Sequence, residues 1–403
     1  MAFTPYREVL RLPGVRNLFL LGLFARIPPT TVGITLTLRV VNALHHSYGA
    51  AGLVTAAFTV GAALGSPLAG RFIDRRGARP VVATTTLVQA GCWAIAPLLG
   101  YSGLLAVAVL AGLFSVPVQG LLRQSLSAMV PEKHRRPAFA LDSMAVELSF
   151  MIGPAVAVAL ATTAGTGPAI AVIGAGVTVC GVLLIVMNPP VRADHEAGAG
   201  DAVPRRAWVG PPLIAILIAG CAATFILSGA DLSIVATLRQ AGATSLTGLV
   251  FALWCLYSLA GGLVYGTLRR TVPVLVLVVG MGVLTVPVGF VPSWQLLCLT
   301  LIPCGVLCAP SLASANDALS RLVPAQSRGE AMGLFSAAMT AGTSLGAPFA
   351  GFVVDQAGAR GSFAAAGAVG AAAALAAYAA AQRRSRALAT AEPALEAGLS
   401  RRG

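Results

Sequence analysis

Charge is scarce in this chain. Only 10% of its 403 residues are Asp, Glu, Lys or Arg, and acids number just 14. A soluble domain carries about 25%. Lysine is nearly absent: Lys133 stands alone beside the arginines, which together with the Ala and Gly excess points to a GC-rich bacterial genome. No glycine-rich phosphate loop ending in Lys-Ser/Thr is present, which argues against an ATP-driven pump. No small-residue cleavage site follows a short apolar core near the start, so no removable signal peptide is expected. Cys92, Cys180, Cys221, Cys255, Cys298, Cys304 and Cys308 all fall inside apolar runs, so no disulfide framework is implied. Cys304 and Cys308 share a helix face, yet no paired His or acid cluster accompanies them. They read as polarizable packing residues, with no metal and no other cofactor expected.

Apolar sequence is abundant. Hydrophobic residues make up 57% of the chain, and mean hydropathy is +0.84. Runs of about 20 apolar residues are long enough to span a bilayer as helices and too long for barrel strands. The formal charge of +13 does not indicate nucleic-acid binding, because the basic residues sit in short loops between spans and form no continuous face. The lipid bilayer is the expected surrounding.

Twelve spans are expected at 16–40, 48–72, 79–100, 103–128, 137–162, 166–188, 212–238, 244–268, 272–291, 294–320, 329–355 and 360–382. They divide the chain into a six-helix half over 1–188, a linker over 189–211, a second six-helix half over 212–382 and a tail over 383–403. The linker is polar and rich in Gly and Pro, with Asp194, His195, Glu196, Asp201, Arg205 and Arg206. The tail, with Arg383, Arg384 and Arg386, reads as disordered. Met1 to Val15 reads as a polar, basic lead-in. With both termini inside, 22 of the 27 Lys and Arg residues fall in cytoplasmic segments, as the positive-inside rule requires. Arg39, Arg239 and Arg360 fall outside, and Arg26 and Arg123 lie within spans.

The two halves repeat. At an offset of 193 residues, Gly112, Pro117, Arg135, Ala138, Leu141 and Gly153 map onto Gly305, Pro310, Arg328, Ala331, Leu334 and Gly346. At an offset of 196, Gly52, Gly65 and Gly70 map onto Gly248, Gly261 and Gly266. Both halves have the same orientation, so this is a parallel repeat about an axis along the membrane normal.

Between the second and third spans lies Gly65-Ser66-Pro67-Leu68-Ala69-Gly70-Arg71-Phe72-Ile73-Asp74-Arg75-Arg76-Gly77-Ala78-Arg79-Pro80. The pattern Gly70-Arg71-x-x-Asp74-Arg75-x-Gly77-x-Arg79 resembles the signature loop of major facilitator superfamily transporters. The resemblance covers nearly the whole chain. It implies an all-α integral membrane fold of twelve helices in two pseudo-symmetric halves, working by alternating access in the cell membrane, with a monomer sufficient. It also implies that Asp74 meets the N-terminus of span eleven near Arg328-Gly329-Glu330, where the helix dipole favours a carboxylate. Ser149 to Pro154, with Gly153 and Pro154, resembles the core of the superfamily's antiporter motif, though no second glycine cluster follows. The superfamily's arginine motif early in span four is missing.

Ionisable groups inside spans are costly and mark functional sites by default. Here they are Arg26, Arg123, Asp142, Glu147, Asp231 and Asp317. Depth counting pairs Arg123 with Asp142 and Arg26 with Glu147. These read either as structural ion pairs or as a proton-sensitive latch in which Glu147 takes a proton and releases Arg26. Asp231, alone in span seven, reads equally as a binder of a cationic substrate or proton and as a structural polar residue. Asp317 follows Asn316, the repeat-mate of Arg123, and reads as a gate or loop-pairing residue. The cavity-forming spans are dominated by Ala, Leu, Val and Gly, which suits amphipathic cargo better than a sugar. The expected function is proton-coupled efflux of a small drug or metabolite. The alternatives are a proton-coupled nutrient importer and, from another class, a non-transporting scaffold or sensor.

Overall fold

The computed structural model describes residues 4–192, 204–243, 246–268, 271–291 and 293–400. Side chains of residues 48, 49, 154, 207 and 384–400 are not among those described. The linker acids Asp194, Glu196 and Asp201, with His195, lie outside the described residues, as do Arg269 and Arg270. Every regular element is helical: α1 (Thr4–Arg11), α2 (Val15–Leu38), α3 (Tyr48–Arg76), α4 (Ala78–Ile95), α5 (Tyr101–Leu113), α6 (Val118–Met129), α7 (Glu132–Thr163), α8 (Thr166–Met187), α9 (Pro211–Gln240), α10 (Thr247–Thr267), α11 (Val274–Thr285), α12 (Trp294–Leu322) and α13 (Arg328–Ser400), with short 3₁₀ or π turns between some of them.

Ten helical stretches are long and apolar enough to cross a membrane, and Val274–Phe290 is a shorter apolar one. The last of the ten covers Ala325–Arg383 and contains a break at Gly358 (φ 71°). That left-handed backbone, open to glycine and strained for other residues, folds one helix into two and gives the twelve spans expected. The fourth span is itself interrupted between Leu113 and Val118, where Pro117 leaves helical geometry at ψ 50°. Outward faces carry exposed apolar side chains such as Leu53, Leu64, Leu87, Val186, Phe290 and Phe352, a surface suited to lipid.

Two expectations change at the ends of the chain. The N-terminal lead-in is a helix, α1, and Tyr6 and Val9 on one face of it are buried. The tail expected to be disordered continues the α13 backbone as helix to Ser400, although Pro393 within it removes a helix hydrogen bond.

The repeat is visible as matched contacts. A Cβ on Gly65 would lie 2.0 Å from the Leu113 carbonyl oxygen, and a Cβ on Gly261 would lie 1.8 Å from that of Val306. Gly261 and Val306 are the repeat-mates of Gly65 and Leu113. In each case a glycine lets the second span of a half touch the fourth backbone to backbone. One buried core cluster is drawn only from residues 208–374 and another only from residues 32–173. A third joins residues 6–184 to Tyr265, Leu277 and Ala313, at the end of the bundle that carries Asp74.

Candidate functional site: a cavity between the helices and its closed end

At one end of the bundle, α3 and α13 touch through glycine. A Cβ on Gly70 would lie 2.1 Å from the Gly329 carbonyl oxygen, and one on Gly333 would lie 2.4 Å from that of Ser66. This approach brings Asp74 onto the first turn of α13. The Gly329 amide donates to its Oδ1 at 2.9 Å and the Glu330 amide to its Oδ2 at 2.8 Å. Gln124 Nε2 donates to Oδ1 at 2.8 Å, and Arg192 donates to the Asp74 backbone carbonyl. Asp74 therefore satisfies the orphan N–H groups of a helix 255 residues away, as the sequence led one to expect. Gln124 and Arg192 were not anticipated; Gln124 adjoins Arg123, on the buried stripe of α6.

The rest of the signature surrounds this contact. Arg71 lies 4.0 Å from Glu330, which also pairs with Arg205. Arg79 donates to the Ile185 carbonyl at 3.2 Å, and Arg75 is exposed. Gly77, at φ 83°, makes the one-residue turn between α3 and α4. On the same end, Arg321 bridges Asp317 on its own helix at 3.2 Å and Glu132 at the start of α7 at 2.7 Å. Asn316 is fully buried and donates to the Leu312 carbonyl at 2.8 Å.

The cavity stops roughly two helical turns short of Asp74, at Ser66 and Ser336, and reaches Gly248 in the first turn of α10 at the opposite end. Its volume is about 780 Å³, in the range of small-molecule sites. Arg26, Glu147 and Asp231 line it, among Phe58, Phe150, Phe251 and Trp254.

The charge pairing differs from expectation at one residue. Arg123 Nε donates to Asp142 Oδ2 at 3.1 Å, as depth counting indicated. Arg26 pairs with the other oxygen of the same carboxylate, not with Glu147. Asp142 and Glu147 stand five residues apart on α7, so they differ by well over one turn in height and by about 140° in direction. Arg26 reaches Asp142, the one nearer the start of α7. Depth counting placed it level with Glu147, but a long guanidinium side chain spans the difference in height, and the direction each acid faces decides. All three members are sealed, at 2%, 0% and 1% exposure for Arg26, Arg123 and Asp142. Arg123 also lies 6.0 Å from the Phe335 ring centroid.

Glu147 is left facing the cavity, accepting from Cys308 Sγ at 2.8 Å, a partner the sequence did not reveal. Asp231 is exposed to the same cavity. Neither carboxylate joins an ion pair among the described residues. Gly153 brings α7 against α2: a Cβ there would fall 1.9 Å from Thr30 Oγ1, and Thr30 donates across the seam to the Ser149 carbonyl at 3.2 Å. Pro154 follows within α7, its side chain outside those described. No group of three or more His, Cys, Asp or Glu gathers at metal-binding range among the described residues.

The model of the Major Facilitator Superfamily matches residues 18–286 and 233–401. The chain belongs to the major facilitator superfamily. Solved superfamily-like structures resemble it across almost the whole fold. The human organic anion transporter MFSD10 (TETRAN) is 17% identical with a TM-score of 0.68, covering 93% of this chain and 99% of its own. A bacterial homologue of the iron transporter ferroportin, in an outward-facing state, is 16% identical with a TM-score of 0.69, covering 92% and 98%. The proton:xylose symporter XylE bound to 6-bromo-6-deoxy-D-glucose is 15% identical with a TM-score of 0.65, covering 89% and 94%. At these identities the likeness is one of fold. No curated protein matches the chain significantly. The protein is thus an all-α, multi-pass membrane protein with the fold of major facilitator secondary transporters.

Proposed function

We propose that this superfamily member is a proton-coupled exporter of a small amphipathic drug or metabolite, acting as a monomer in the cell membrane with both termini cytoplasmic. The observation that carries the reading is the placement of Glu147 on α7 and Asp231 on α9 in one largely apolar cavity, neither in an ion pair among the described residues. A carboxylate held in a low-dielectric wall must find a proton or a cation, and these two come from the two repeat halves. With the arginine-rich end inside, the Asp74 contact closes the cytoplasmic mouth and the cavity faces outward. In this reading the inward-open state needs the α3–α13 seam to part, and protonation of the cavity acids biases which mouth is open. Arg26, Asp142 and Arg123 serve as the fixed ionic hub against which α2, α6 and α7 move together.

The test is transport in proteoliposomes with an imposed proton gradient. Substrate moving against the direction of proton flow, lost in Glu147→Gln while the variant still inserts and folds, is the expected result. Co-directional movement of cargo and protons would make the protein an importer, and full pH-driven transport by Glu147→Gln would remove that residue from the proton path.

A further inference from the structure

Resting on that transport reading, we propose that the cargo is a lipophilic organic monocation, held at Asp231 with its apolar body against Phe58, Phe150, Phe251 and Trp254. The charged groups at and just behind the wall are Arg26, Arg123, Asp142, Glu147 and Asp231. Two guanidiniums face three carboxylates, so one negative charge is uncompensated. The sealed hub takes both arginines around Asp142. The excess therefore resides on Glu147 and Asp231, and Asp231 is the more exposed of the two. With both acids ionised the hub is left one positive and the cavity pair two negative. A single cation therefore neutralises the site, whereas an anion would meet the two carboxylates while the hub's surplus positive charge lies sealed at the wall. Aromatic side chains in the same cavity wall can add attraction for a delocalised or quaternary cation, and an apolar wall favours a greasy one over a hydrated ammonium.

Tetraphenylphosphonium and tetraphenylborate have nearly the same shape and opposite charge, so they separate charge from hydrophobicity. Calorimetric titration of the purified full-length protein should show tetraphenylphosphonium binding at least tenfold tighter than tetraphenylborate. Asp231→Asn should remove that preference, and Asp355→Asn, at an exposed acid outside the cavity, should keep it. Equal binding of the two ions, or an Asp231→Asn variant that discriminates like the parent, would overturn the cation class. Proton-driven transport of a neutral amphiphile with no tetraphenylphosphonium binding would also overturn it while leaving the exporter reading intact. Tight tetraphenylphosphonium binding without proton-driven transport would do the opposite.

A different set of residues carries a second inference: α1 is a bolt that locks the Asp74 end shut. Tyr6 Oη donates to the carbonyls of Gly262 and Leu263 on α10, at 2.8 Å and 2.6 Å. Its ring fills a notch in α10 that only glycine leaves open, because a Cβ on Gly266 would lie 2.1 Å from the hydroxyl. Burial pushes the Tyr6 hydroxyl up to about 12, so it stays a donor at any physiological pH. On its other side α1 is tied to the first half, through Glu8 to His134 at 3.0 Å and through buried Val9. The helix thus belongs to one half and plugs into the other, and the seam cannot part without withdrawing Tyr6.

A single cysteine at Ser66, in a cysteine-free background and labelled by a membrane-impermeant maleimide applied only from the Asp74 end, reports the seam because Ser66 faces Gly333 across it. Tyr6→Phe and Tyr6→Ala should raise its maleimide labelling rate several-fold, the alanine variant more. Tyr378→Phe, at an exposed tyrosine elsewhere, should not. Parent-like labelling in both Tyr6 variants would overturn the bolt.

Discussion

Gly70 and Gly329 meet backbone to backbone: a methyl group on Gly70 would sit 2.1 Å from the Gly329 carbonyl oxygen. The same approach places Asp74 on the Gly329 and Glu330 amides. The seam is therefore one device, in which a missing side chain sets the distance and a carboxylate uses it. Gly70→Ala should push α3 and α13 apart and weaken the cap without touching Asp74. The expected outcome is a longer α3–α13 distance in double electron–electron resonance, with the cavity-lining residues unchanged. A parent-like distance distribution would separate the glycine contact from the cap.

Asp74→Asn tests the cap itself. Asn keeps one acceptor oxygen, but its NH₂ group would face an amide N–H and repel it. The loss is that of a hydrogen bond to a charged group, about 1.5–3 kcal/mol, plus about 0.3–1 kcal/mol of helix-dipole attraction. Because the contact exists only while this end is closed, that loss falls on one conformer and not on folding as a whole. Transport rate should fall with little change in expression. Asp74→Glu, which keeps charge but adds a methylene, should retain part of the rate.

Asp142 presents a different balance. Its single carboxylate serves two sealed guanidiniums. Asp142→Asn would leave two buried positive charges facing each other, and breaking a buried pair costs about 3–5 kcal/mol. A clear drop in thermal unfolding temperature is expected, with transport lost as a consequence. Removing all three charges at once, with Arg26→Met, Arg123→Met and Asp142→Leu, should recover much of the stability. Recovery of stability without recovery of transport would assign the hub a mechanistic role beyond packing.

Much of this arrangement could be read from the chain. The twelve spans follow from apolar runs of bilayer length, and the Asp74 contact follows from the loop pattern and the charge preference of a helix start. The Arg123–Asp142 pair follows from depth alone, because the two sit near the same end of consecutive antiparallel spans. Depth assigned Arg26 to Glu147, wrongly, because it ignores both the reach of an arginine side chain and the direction each acid faces around α7, which decides that Asp142 meets α2. The Cys308–Glu147 bond was hidden because it joins helices from different halves. Tyr6 was hidden because α1 is too short and too polar to register as a span. Its spacing with Val9, three residues on, was the available signal of a buried face.

The repeat makes a quantitative prediction at Gly65 and Gly261, which meet the carbonyls of Leu113 and Val306 at nearly the same spacing. Neither contact crosses between halves, so neither depends on which mouth is open. Alanine at either position must displace a backbone carbonyl and not the tip of a flexible side chain. The cost is that of overpacking, about 1–3 kcal/mol, and it should be similar at the two sites because the local geometry is repeated. The sites lie in separate halves and share no partner, so the double substitution should destabilise by the sum of the singles to within about 0.5 kcal/mol. Denaturant titration of Gly65→Ala, Gly261→Ala and the pair measures this directly. A double variant much less damaged than the sum would mean that the two halves unfold separately, with the first substitution already having released the weaker one.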